Sequence, residues 1–357
     1  MVSFLRRLFG SKKASSPAPA SPTVHLASSR ASRAISVVAT DAVTSTGAAA
    51  VTDTAAQPIE LLQTLRARLE LALHRLDEEL IGEHHRSADT AQLMRALRDD
   101  PLTNIRQLPV AAQRALSLLH GDAPTSLLVA TFERDPAMTQ ALLHQVNSVY
   151  YNPNGARILS LTDAIGRMGR AGVQGVVLQQ SVAGMVSRPG GELDAMAQKV
   201  WNHMVRVAPL ARQLAGAFGV AADQAFLLGL LHDVGKLVVF DRITELRSAK
   251  RRTLSIDRDV VGRALRLMHE PLGGLVIQQW GLDGEIAQAV ATHHREPAPQ
   301  ERDLLCEAIF VAERVDLARE QKTEIDLDAL WAAGQLTAKR PAVADALGLS
   351  PSNEAAA

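Results

Sequence analysis

Between Pro101 and Arg319, apolar residues return at steps of three and four, in runs separated by Gly, Pro and Asn. No convincing run of period-two alternation interrupts them. Steps of three and four line one face of a helix, whereas a half-buried strand needs a period of two. The chain is therefore expected to be all-α. Hydrophobic residues make up 47% of the 357 positions but aromatics only 3%. A sizeable core can form, built from Leu, Val, Ile and Ala, which suits helices packed through aliphatic ridges.

Four segments are expected. Residues 1–58 read as a tail: from 14 onward they are rich in Ala, Ser, Thr and Pro and bury too little surface to offset chain entropy, so they are expected to be disordered. The tail starts with Met1–Gly10, where Phe4, Leu5, Leu8 and Phe9 can share a face beside Arg6 and Arg7. That is the pattern of a short membrane-surface or partner-docking helix. A ten-residue helix is marginal alone, so a frayed start is favoured over weak membrane contact through residues 1–10. Residues 59–100 read as a helical linker or coiled-coil segment, because Leu62, Leu65, Leu69, Ala72 and Leu76 alternate steps of three and four. Packing of this helix on the main domain is an equal alternative. Residues 101–319 form the main domain, and 320–357 a helical extension with a frayed end.

Net charge is zero, so no global basic field gathers DNA or anionic lipid. The scarcity of aromatics also argues against a base-stacking surface. One cysteine, Cys306, excludes an internal disulfide and a cysteine zinc site and fits a reducing cytoplasm. No apolar run approaches the roughly 18–20 residues that span a bilayer.

In the first half of the main domain, Asp135 is expected to cap a helix that opens with Pro136. Met138, Leu142, Val146 and Val149 would share its buried face. A turn-rich stretch, Tyr150–Gly155, follows, and Ile158–Met168 is expected to form the next helix. No catalytic constellation is present there. The second half differs. Five of the eleven histidines fall between His203 and His294. His203 shares an apolar stripe with Val207, Leu210, Leu214 and Phe218. His232 and Asp233 end the apolar run Ala225–Leu231, where an ionised carboxylate is costly without a partner. His269 precedes Pro271, His293 aligns with Ile286 and Val290, and His294 is adjacent. Glu313 and Asp316 follow one turn apart on a further helix. Imidazoles and carboxylates drawn from several helices are what a divalent metal needs, and Lys236 could hold a phosphate oxygen. Singly each residue reads better as a packed core histidine or a helix-end charge. The ordered set is the stronger signal.

That order resembles the HD superfamily of metal-dependent phosphohydrolases, and the first half is similar to its HDOD branch. Leu108-Pro109, Asp135-Pro136, Leu142-Leu143, Asn147-Ser148 and Leu161-Thr-Asp-Ala-Ile165 carry the similarity. The resemblance implies an all-helical HD-type bundle over residues 101–319. It implies ligand roles for His203, His232, Asp233, His269, His293 and His294 toward an ion such as Fe, Mn, Mg or Zn. The family's final aspartate is matched by Glu313 in Val311-Ala-Glu313-Arg314, with Asp316 as the alternative. Pro209 is a second departure and is expected to kink the His203 helix. The Gly-Tyr-Pro of cyclic-dinucleotide phosphodiesterases is missing: Arg295-Glu-Pro-Ala-Pro follows the paired histidines. The resemblance thus implies a bacterial signal-transduction module that contacts other signalling proteins, without turnover. A metal-dependent phosphohydrolase is the alternative.

Overall fold

The structure is a computed structural model. It describes residues 56–349 except 81–86, 100, 103–106, 122, 154, 187–191, 251–255, 295–302 and 335. The expected tail up to Ala55, its amphipathic start and the chain end from 350 lie outside the described residues. All regular structure among the described residues is helical.

The first helix, α1 (Ala56–Glu79), begins three residues inside the segment expected to be disordered; Pro58 lies in its first turn, where a proline costs no hydrogen bond. Its stripe of Leu65, Leu69, Leu73 and Leu76 is buried. The cover comes from the same chain, on α10 (Arg258–Gln279) and α11 (Gly284–Thr292). Arg266 pairs with Glu79 at 2.6 Å and fixes the end of α1. The short α2 (Ala88–Asp99) follows.

The first half comprises α3 (Val110–His120), α4 (Thr125–Phe132), α5 (Pro136–Val146) and α6 (Leu161–Val186). Asp135 caps α5 as expected, accepting from the Met138 amide at 3.0 Å, with Pro136 in the first turn. The helix stops at Val146, so Val149 falls beyond it and is exposed rather than on the buried face. Asn147 makes the break. Its Nδ2 donates to the carbonyls of Leu143 and Ile158, and its Oδ1 accepts from the Ile158 amide. Pinned in this way, Ile158 precedes α6, which starts at Leu161 instead of 158. Gly169, at φ 67°, breaks the helical path of α6 just after Met168.

The second half comprises α7 (Glu192–Phe218), α8 (Ala222–Leu231), α9 (Val234–Lys250), α10, α11 and α12 (Leu304–Gln321). Helix α7 packs on α8 and α12, and α10 packs on α9 and α11. Two small helices, α13 (Leu327–Gly334) and α14 (Arg340–Ala346), close against α12 and α7. The halves meet where α6 contacts α7 and α8. There the buried Arg212 guanidinium stacks over Phe226 at 4.0 Å and Tyr150 at 4.6 Å and pairs with Asp223.

Candidate metal centre

Two close approaches bring the histidines together. A Cβ on Gly229 of α8 would stand 2.8 Å from the Ala208 Cα of α7. A Cβ on Gly235 of α9 would stand 2.0 Å from the His269 carbonyl oxygen of α10. Only glycine lets backbones pack so tightly. The first approach brings His232 to His203, and the second brings Asp233 to His269.

His232 and Asp233 are not inside one helix. They form a two-residue turn between α8 and α9. His293 and His294 likewise lie just past the end of α11. The first residue of each pair keeps a right-handed helical backbone, so the two side chains stay splayed, and both reach the interior because the chain end presents the space between them. His203, His269 and Glu313 come from within α7, α10 and α12.

All seven expected ligands converge. Asp233, His269, His293 and His294 offer donor atoms within 4.8 Å of one another, and so do His203, His232 and Asp233, which makes Asp233 common to both groups. The Nε2 atoms of His232 and His203 are 3.3 Å apart. His269 Nε2 and His293 Nε2 are 3.7 and 3.9 Å from Asp233 Oδ1. The longer Glu313 side chain does reach: Oε1 is 3.6 Å from His232 Nε2 and 3.7 Å from His203 Nε2, and Oε2 is 3.7 Å from His294 Nδ1. Asp316 lies on the far side of His203, against Nδ1 at 2.8 Å. Glu313, rather than Asp316, thus faces the centre.

Three imidazoles are oriented from behind. His232 Nδ1 is 2.8 Å from the Gly229 carbonyl, His293 Nδ1 is 2.7 Å from that of Val290, and His203 Nδ1 meets Asp316. As the Nδ1 atoms donate, each Nε2 is left to face inward, the arrangement of metal-bound histidines. Lys236, the candidate phosphate contact, is buried at 2% exposure and donates to Asp233 Oδ2 at 2.5 Å.

Burial and charge fix the protonation states. Burial drives His232 down to about 4 despite Asp233 and Glu313. Burial also holds His269 and His294 well below the usual imidazole range, reinforced by Lys236 and His293 respectively. For His203, burial is outweighed by hydrogen bonds to Asp316 and Glu313, which raise it to about 9. For Asp233, burial is overcome by Lys236 and the imidazoles, and the carboxyl stays ionised. Glu313 is ionised for the same reason, with His294 and His203 the main influences. Neutral imidazoles and ionised carboxylates are the forms that bind metal, so His203, held protonated between Asp316 and Glu313, must give up its Nε2 proton to become a ligand.

The residues fit a divalent ion. Asp233 Oδ1, both ring nitrogens of His269, and the Nε2 atoms of His293 and His294 are buried without a hydrogen-bond partner. At roughly 1–3 kcal/mol each, five such atoms cost as much as the whole stability of a typical domain. An ion among Asp233, His269, His293 and His294 engages one nitrogen of His269 and one atom of each of the others, and so removes most of that cost. Ligands about 2.1 Å from one ion stand at most roughly 4.2 Å apart, and the 3.6–3.9 Å separations meet that limit. Glu270 was not among the expected site residues; it accepts from the His294 amide at 3.0 Å and lies 4.0 Å from His293 Nδ1. Its place beside His269 was the one available hint.

The family model of the HDOD domain matches residues 105–296. Ribonuclease Y of Thermotoga maritima is 30% identical over 115 residues, 32% of this chain and 17% of the relative. The match thus spans less than a fifth of that protein. A solved structure from Shewanella amazonensis SB2B, described as an inferred phosphohydrolase, superposes with a TM-score of 0.53 at 18% identity. It covers 74% of this chain and 94% of that one. A second from the same organism, described as an inferred metal-dependent phosphohydrolase, gives 0.54 at 16% identity, covering 73% and 99%. At these identities the likeness establishes the fold.

Proposed function

Because this chain belongs to the HDOD family, we propose that it is a metal-bearing regulatory module of bacterial signal transduction that acts through protein contacts rather than turnover. One observation carries the reading: the donors are gathered but enclosed. His232, Asp233, His269 and His293 are fully buried. Only Glu313 and His294 keep partial side-chain exposure, 16% and 21%. Lys236, the candidate phosphate contact, is committed to Asp233. A divalent ion would supply positive charge at the centre and Lewis acidity toward any phosphoester oxygen that reached it. Asp233, His269, His293 and His294 would hold it as one group, or His203, His232 and Asp233 as the other, with Glu313 within reach of both. An imidazole-rich set with carboxylates suits zinc, iron or manganese better than magnesium. The donors come from α7, the α8–α9 turn, α10, the end of α11 and α12, so an ion would tie these elements into one rigid block. Other signalling proteins would engage the first half, where Val110, Val149, Tyr150 and Leu159 are exposed.

The test is metal analysis of the full chain together with a turnover screen over nucleotides, phosphomonoesters and single-stranded RNA. The expected result is bound metal and no turnover above that of His232→Ala and Asp233→Ala. Steady turnover abolished by either variant overturns the reading. It would establish the second one, a metal-dependent phosphohydrolase, which is supported by the full donor set and the part-exposed rim of Glu313, His294 and Glu270.

A further inference from the structure

His203 differs from the other oriented imidazoles in what stands behind it. His232 and His293 place Nδ1 against backbone carbonyls. His203 places Nδ1 against Asp316 Oδ2. The same carboxylate is gripped by Arg206, which donates from Nε to Oδ1 at 2.6 Å and from Nη2 to Oδ2 at 3.0 Å. His203 and Arg206 are three residues apart on α7, so they share a face, and Asp316 reaches both from α12.

Each contact has a physical effect on the inner nitrogen. The carboxylate holds the Nδ1 proton, so Nε2 is the nitrogen that faces the centre and gives up its proton to a metal. Its negative charge also makes the ring a stronger donor. The two-point grip of Arg206 fixes the plane of the carboxylate and keeps it from swinging inward to compete with Glu313. The far end of the relay is reachable. Arg206 is 44% exposed and 3.8 Å from Glu320. It lines a cavity of about 600 Å³ between α7 and α12, together with Pro209, Asp316 and Arg319.

We propose that Asp316 and Arg206 are positioning residues of the metal centre, setting the orientation and donor strength of His203 from outside the cluster. The inference rests on the metal reading above. Cobalt(II) serves as probe, with affinity for the full chain measured by chelator competition and geometry by the visible absorption bands. Asp316→Asn is expected to weaken cobalt binding 10- to 100-fold and to change the band shape. Arg206→Gln, on a half-exposed side chain, is expected to weaken it about 3- to 10-fold, in keeping with its place one contact further out. Arg319→Gln lines the same cavity without a bond to Asp316 and is expected to match wild type. If both Asp316→Asn and Arg206→Gln keep wild-type affinity and spectrum, their role is structural only and the proposal is overturned, whatever their urea stability. If wild type itself binds no cobalt, the metal reading and this inference fall together.

Discussion

Replacing Gly235 by alanine puts a methyl carbon 2.0 Å from the His269 carbonyl oxygen and 2.6 Å from the Gly273 amide nitrogen. Ordinary contact begins near 3.4 Å, so α9 and α10 must part by more than 1 Å. Both obstructing atoms are backbone and cannot rotate away. Overpacking a core costs about 1–3 kcal/mol where side chains can adjust; here the upper end, about 3 kcal/mol or more, is expected. Gly216→Ala is the control. Nothing lies within 4 Å of its new Cβ, and alanine in place of glycine in a helix gains roughly 0.5–1 kcal/mol. Urea unfolding of both variants reads the two signs directly. With a slope of about 2 kcal/mol per molar, the midpoint falls by about 1.5 M for Gly235→Ala and rises by a few tenths for Gly216→Ala. Metal content should fall in Gly235→Ala alone, because the same contact sets Asp233 beside His269. A Gly235→Ala protein with wild-type midpoint and metal content would refute the argument that this approach builds the centre.

Lys236→Met removes the cation on Asp233; with chelator present it should cost about 3–5 kcal/mol, since a buried charge loses its partner, and clearly less in the metal-loaded protein, where the ion supplies the missing charge. Urea curves with and without chelator measure the difference. Arg212→Lys keeps a charge but loses the flat stacking on Phe226 and Tyr150; a loss of roughly 1–2 kcal/mol is expected, and an unchanged melting curve would contradict it. Burial pushes the Cys306 thiol well up from its usual range, with Asp303 adding to it. The native protein should therefore react with a thiol reagent only as fast as it unfolds, and full reaction upon urea addition is the check.

Much of the fold could be read from the sequence because helical periodicity is local. The cap at Asp135 and Pro136, the stripe of α1 and the face of His203 each depend on residues within a turn or two. The limits were local failures of that same logic. Val149 continued the apolar spacing of α5 past its end, but Asn147 had already turned the chain by bonding to Ile158, eleven residues on. His232 and Asp233 extended the pattern of α8 yet form a turn. In the centre, the ligands were legible as an ordered set of residue types. Glu270 and Arg206 were not, and Asp316 was read as an alternative ligand rather than as the group behind His203, because these roles depend on which helix stands behind which imidazole. The tight passage at Gly235 is likewise a property of two backbones, and one sequence position cannot display it.

The central claim is that separated helices bring five imidazoles and two carboxylates to one interior space, in two donor groups that share Asp233, and that a divalent ion is held there. X-ray diffraction from crystals of the full chain, collected on both sides of the absorption edge of the metal found by elemental analysis, tests it at the atoms concerned. The account predicts an anomalous peak beside Asp233, within bonding distance of imidazole nitrogens of the cluster. Its contradiction would be protein purified without chelator that yields a well-ordered cluster and no anomalous signal there.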